Sequence, residues 1–288
     1  MAANNMRDIK RRMKSVNSME HITKAMKLVS TAKLRKAKST FEKTQEYFNY
    51  VTESIQAIFN NTDQVPDKYL EGSREIKTTC YIVVTSNRGL CGSFNSNIIK
   101  MASAEIAEDP EEPVIVAVGS KGRDFFAKRG YEIASQYMLP PENISFLETR
   151  AISRPIVEMY DSGKVDEVIL IYTKFINSME QRPRMVTLLP FAIQNDPDIP
   201  KAAMEVEYEP SVEEVFNYLV PKYVEIMVYG AVVESATCEH AARRIAMESA
   251  TDNANEMLAN LSLTYNRTRQ AAITNEISEI VGGAEALN

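Results

Sequence analysis

Apolar and polar positions in the first 65 residues repeat every seven residues. One row runs through Ile9, Val16, Thr23, Ser30, Ala37, Thr44, Val51 and Ile58. A second row, four residues further on, runs through Met13, Glu20, Lys27, Leu34, Phe41, Phe48 and Ile55. At this spacing both rows lie on one helix face, forming the a/d seam along which helices coil together. The seam is apolar at both ends and polar or small in its middle, where a second stripe (Met19, Ile22, Met26, Val29) lies on another face. The helix there offers apolar surface to more than one neighbour. No Pro precedes Pro66 and no Gly precedes Gly72, so nothing interrupts a helix over residues 1–65.

The other end is similarly free of helix breakers. No Pro follows Pro221 and no Gly lies between Gly230 and Gly282, so residues 211–288 are predicted as a second long helix. At 1.5 Å per residue, ~50 residues make a rod of roughly 75 Å. Such a helix needs a partner along its length. The stretch Ser249–Ala250–Thr251–Asp252–Asn253–Ala254–Asn255 carries little bulk and allows close approach of two backbones. Ile273, Ile277, Ile280 and Ala284 then restore an apolar stripe at helical spacing. Antiparallel pairing of the two ends leaves the middle of the chain as an insertion.

That middle alternates strand, loop and helix. Thr79–Thr85 is a β-branched run feeding the loop Ser86–Gly92 and a helix from Ser93 to Ala107. Pro113–Val118 is a second strand, followed by Gly119–Gly122 and a helix through Arg129. Ile152–Asp161 is helical, and Val165–Tyr172 and Arg184–Leu189 are further strands. This order predicts a largely parallel sheet with helices on its faces. Residues 194–210 read as a polar, Pro-marked return to the last helix.

Charge adds an asymmetry. The net charge is −6, yet residues 1–43 carry twelve Lys/Arg against three acids, a balance of +9. Residues 211–288 carry five basic residues against eleven acids, a balance of −6, so the two long segments are complementary. The three cysteines have no metal-ligand spacing and suit a reducing compartment. No apolar run is long enough to span a bilayer, so membrane association would go through partner proteins.

Candidate chemistry is sparse. The loop Gly89–Ser93 follows a strand and opens a helix, where α/β folds bind phosphates, but it lacks the glycine fingerprints of nucleotide sites. The Gly119–Gly122 loop has a lysine at its tip and no acidic metal ligand beside it. Cys91, at a helix start, could be an activated thiol, but the only histidines, His21 and His240, lie on the long helices. No catalytic, cofactor or metal set assembles. The basic N-terminal charges are scattered around the helix with no aromatic among them before Phe41, which disfavours a nucleic-acid arm and favours acidic protein partners. Two readings stay open: a mechanical or assembly protein, and a nucleotide-binding α/β enzyme with a coiled-coil oligomerisation arm.

Five separated motifs carry a resemblance. The C-terminal run Ile273–Ala286 resembles the I-T-x-E-x-x-E-x-x-x-G-A signature of gamma subunits of bacterial F-type ATP synthases. The segments Ile22–Val29 with Lys33–Lys36, Asn87–Gly92, Gly119–Gly122 and Lys174–Asn177 are similar to the family in the same order. The resemblance implies an antiparallel coiled coil over residues 1–65 and 211–288 with a Rossmann-like α/β domain over residues 75–193. It further implies a central rotor, without catalytic site or cofactor, coupling proton or sodium-ion flow to ATP synthesis or hydrolysis. Three alpha and three beta subunits would surround the coiled coil, with the epsilon subunit and c-ring at the foot. The protein would sit peripherally on the cytoplasmic face of the cell membrane. Met26, Lys27, Arg243, Arg269, Gln270, Thr274 and Glu276 would face or support contacts with beta, and Tyr208 would meet epsilon or the c-ring. Residues 190–215 contain no cysteine, so thiol regulation of the plant type is not expected. Glu285 stands where the family commonly has a small residue.

Overall fold

The computed structural model describes residues 2–61, 66–70, 72, 75–108, 113–138, 145–191 and 209–285. Its elements are α1 (Ala2–Asn61), β1 (Thr79–Val84), α2 (Phe94–Glu108), β2 (Val114–Val118), α3 (Ser120–Ala127), β3 (Ile133–Tyr137), α4 (Phe146–Asp161), β4 (Glu167–Phe175), β5 (Gln181–Leu189) and α5 (Val212–Glu285). The chain thus has the expected class, mixed α/β with long terminal helices and a mostly parallel sheet. It forms two compact units, Met1–Ser30 with Arg244–Asn288, and Thr31–Arg243.

The first unit is a helix pair. Thr251 donates to the Thr23 hydroxyl at 2.8 Å, and the Lys27 ammonium donates to Glu248 at 2.7 Å. Moving back along α1 from 27 to 23 moves forward along α5 from 248 to 251, so the helices run antiparallel. Ile9, Glu20, Thr23 and Ser30 are buried on the α1 side, and Met247, Thr251 and Ala254 on the α5 side. Across both units, every seam position from Ile9 to Val51 is buried or half-buried. The seven-residue repeat therefore faces inward even where its residues are polar. The second stripe does not: Met19, Ile22 and Val29 are exposed.

The second unit is built on a five-stranded sheet in the order β3-β2-β1-β4-β5. β1 pairs in parallel with β2 and β4, β2 in parallel with β3, and β5 runs antiparallel to β4. Alternate residues of the central strands feed two separate cores, as the period of two requires. Cys80, Ile82 and Val84 of β1 join Val168, Leu170 and Tyr172 of β4 against α4 and the α5 stretch Phe216–Val232. Tyr81 and Val83 join Ile169 and Ile171 against Ile98, Ala102 and Ile106 of α2 and Phe126 of α3. Buried Glu225 of α5 takes Arg150 of α4 at 3.2 Å and Lys222 at 3.0 Å, tying the two helices of that layer together.

The four predicted strands are present, while β3 was not expected. It is an edge strand of sequence IASQY, alternately half-buried and exposed, and lacks the apolar run that marks its neighbours. α4 begins six residues before the predicted Ile152 because Ser145 and Glu148 form a capping box, each side chain accepting from the other's backbone N–H. The predicted return segment 194–210 lies almost wholly outside the described residues.

Candidate partner interface and the closed strand ends

In open α/β sheets a ligand sits beyond the carboxyl ends of the strands, against helix N-termini. Here those positions are taken by the chain itself. At the start of α3, the Ser120 N–H donates to the Asn87 side chain at 3.0 Å, the Lys121 N–H to the Ser86 carbonyl at 3.1 Å, and the Gly122 N–H to the Thr85 hydroxyl at 2.9 Å. The Ser120 hydroxyl returns a bond to the Asn87 carbonyl at 2.9 Å. Gly119 has φ +96, and a Cβ there would stand 2.2 Å from the Thr85 carbonyl oxygen. The glycine permits this close crossing of the two loops, which leaves no space for a phosphate between them. The cavity at this strand end measures about 20 Å³, room for about one water and far below the ~300 Å³ and upward of small-molecule sites.

The loop Ser86–Gly92 is held from its other side by α5. Arg243 pairs with Glu239 at 2.7 Å, both side chains almost fully buried. Its guanidinium donates to the Arg88 carbonyl at 3.2 Å and to the Gly89 carbonyl at 3.2 and 3.3 Å. Within the loop, Asn95 accepts from the Ser86 N–H at 2.9 Å and donates to the Cys91 sulfur at 3.2 Å. Burial pushes the Cys91 thiol up, outweighing the nearby Arg243 charge that pulls it down. It therefore stays protonated at neutral pH, which argues against the nucleophile reading. Among the described residues no His/Cys/Asp/Glu cluster could hold a metal ion.

The residues expected to meet partners fall in three places. Met26 and Lys27 are half-buried on the helix pair, and Ile22, Leu28 and Val29 of the same stretch of α1 are exposed. Arg269, Gln270, Thr274 and Glu276 are exposed on α5, with the Thr274 hydroxyl bonded to the Gln270 carbonyl. Arg269 lies 21 residues beyond Glu248, the partner of Lys27, so about 31 Å of helix separates the two surfaces. Arg243 is turned inward, onto the loop. Tyr208 lies outside the described residues.

Two features carry more than the sequence reading assigned them. Glu248 gathers Lys27 and Arg244 (3.1 Å) on one carboxylate, and Glu239 anchors Arg243. The signal for both was the acid–base spacing of four residues along α5, at 239/243 and 244/248.

Comparison with known proteins agrees with this picture. The family model described as ATP synthase matches residues 5–287. The ATP synthase gamma chain of Alkaliphilus metalliredigens is 50% identical over 286 residues, 98% of each chain. The sodium-ion-specific ATP synthase gamma chain of Acetobacterium woodii is 43% identical over 303 residues, covering 99% of this chain and 100% of that one. A chain in the central stalk and c-ring structure of the Tetrahymena thermophila mitochondrial ATP synthase is similar with a TM-score of 0.65 and 28% identity, over 80% of this chain and 99% of that one. A chain of the Euglena gracilis mitochondrial ATP synthase has the same fold, with a TM-score of 0.70 at 20% identity, over 99% of this chain and 95% of that one. With a family match over nearly its whole length and relatives at this identity, the chain belongs to the ATP synthase gamma chain family.

Proposed function

We propose that this chain is the central rotor shaft of an F-type ATP synthase and carries no catalytic site of its own. Three alpha and three beta subunits enclose the antiparallel helix pair, and nucleotide chemistry takes place in them. The α/β unit meets the epsilon subunit and the c-ring. Ion flow through the ring turns the shaft, and the shaft's asymmetry drives the beta subunits in turn through their states. The protein sits peripherally at the cytoplasmic face of the membrane, held there by partners; no described helix is long and apolar enough to cross a bilayer.

The observation that carries the non-catalytic part is the closed strand end. The first N–H groups of α3 are bonded to Asn87, Ser86 and Thr85, where a nucleotide phosphate would otherwise bind. Partner binding is supported by the +9 balance of residues 1–43 and by the exposed apolar stripe Met19, Ile22 and Val29 on the α1 face away from the seam. Acidic segments of beta, meeting Met26 and Lys27 in one orientation and not another, would give a state preference. Arg269, Gln270, Thr274 and Glu276 form a second beta contact. Arg243 acts indirectly, by holding the Ser86–Gly92 loop.

Calorimetric titration of the isolated full chain with ATP tests the non-catalytic reading. The expected result is no binding tighter than about 1 mM. Stoichiometric micromolar binding, abolished by Gly92→Leu, would favour the nucleotide-enzyme alternative instead.

A further inference from the structure

One carboxylate on the helix pair has an arrangement that packing does not require. Glu248 lies opposite Lys27, and each of its oxygens takes one cation: Oε1 accepts from Lys27 Nζ at 2.7 Å, and Oε2 accepts from Arg244 Nη1 at 3.1 Å. The group stands at the surface, with side-chain exposures of 35% for Lys27, 23% for Arg244 and 41% for Glu248. The hydrogen bond and charge of Lys27 hold the Glu248 carboxyl below the usual carboxylate range, so it is ionised at neutral pH. Ile22 and Val29 are also exposed but lie on another face of α1, more than a third of a turn round the helix from Lys27. A partner segment reaching this charged group meets two cations sharing one anion, a local balance of +1 where the cations alone would present +2.

We propose that Glu248 is a counter-charge that limits how tightly this stretch of the shaft holds an acidic partner segment. The inference rests on the reading that such a segment meets Met26 and Lys27. A rotor must leave each contact as readily as it reaches it. Two unopposed cations at this surface would make each encounter with an acidic segment an electrostatic well. An ionised carboxylate shared between them, exposed to the incoming segment, repels its acids and competes for the same donors. Glu248 is a positioning residue in this sense: it acts through Lys27 and Arg244.

The test uses the full chain assembled with its own alpha and beta subunits, assayed for ATP turnover at saturating ATP. Glu248→Gln preserves size and one acceptor oxygen and puts an amide NH2 in place of the other, at a surface-exposed position; a melting curve of the free chain checks that the fold is kept. The expected result is turnover slowed about two- to fivefold at low salt, the range one exposed charge commands. Turnover recovers toward the parent at about 0.5 M salt, where the Debye length is only a few ångströms. KM for ATP stays unchanged, and Lys27→Gln in the same chain restores the rate at low salt. If Glu248→Gln matches the parent, or is slowed equally at both salt concentrations, while Lys27→Gln alone changes the salt dependence, the counter-charge is overturned and the reading of Lys27 stands. If neither variant changes the salt dependence, no acidic segment meets this surface, and the reading falls together with the proposal.

Discussion

Gly119 and Gly92 both have positive φ, but they differ in what surrounds them. A Cβ at Gly119 would overlap the Thr85 carbonyl, whereas one at Gly92, with φ +57, meets nothing within 4 Å. Gly119→Ala should therefore cost roughly 3–5 kcal/mol in denaturant unfolding of the chain, and Gly92→Ala only about 1 kcal/mol. Arg243 is a second sensitive position. Truncation to Ala removes the cation that pairs with buried Glu239 and the Arg243 donor to the Gly89 carbonyl, a loss of about 3–5 kcal/mol by the same measurement. Glu234 bears on pH. Burial raises its pKa, although it accepts the Phe175 N–H at 2.9 Å and lies near Lys174 and Arg184, which pull the other way. Between the unfolded value near 4.5 and the raised folded value, the native chain binds more protons than the unfolded one. Its contribution thus weakens stability as pH rises through that window and stays unfavourable above it. Glu234→Gln should flatten this dependence, raising the unfolding midpoint relative to the parent more at pH 8 than at pH 5.

Among the elements, α1 was the most legible, because its repeat extends over enough turns to specify a face regardless of residue type. Glu20, Thr23 and Ser30 are buried at their predicted seam positions although their chemistry argued for the surface. The central strands were equally plain, being buried on both faces and therefore continuously apolar. β3 was not, since an edge strand with one neighbour need not be apolar. The role of α5 was only half visible. Its small-residue stretch suggested a thin coiled-coil partner, yet Phe216–Val232 is a face-covering helix of the sheet, and the apolar density of that stretch was its signal. Of the candidate site, the loops could be read as turns, but that they close on each other could not. Their bonds join Thr85, Ser86 and Asn87 to residues 33 or more positions away, a distance that no local pattern encodes. Where α1 and α5 meet within the larger unit, a Cβ on Gly230 would stand 2.6 Å from the Phe48 ring. Gly230→Leu should overpack this contact and lower stability by about 1–3 kcal/mol, read from the shift in denaturation midpoint.

On the scale of the whole molecule, the charge and apolar patterns are those of a part that is completed by others. The basic first 43 residues, the exposed α1 stripe Met19, Ile22 and Val29 and the exposed Ile273, Ile277 and Ile280 of α5 are not accounted for by the chain's own packing. The strand ends, where an enzyme of this fold would act, are closed by the chain's own side chains and carbonyls. A chain of this kind works by turning inside its partners. The most direct test is single-molecule observation of the chain assembled with its alpha and beta subunits, the beta subunits fixed to a surface and a bead attached to the α/β unit. On this account, ATP drives continuous rotation of the bead in one direction, in three steps per turn. A complex that hydrolyses ATP at full rate while the bead stays still, or that forms and turns over equally well without this chain, would contradict it.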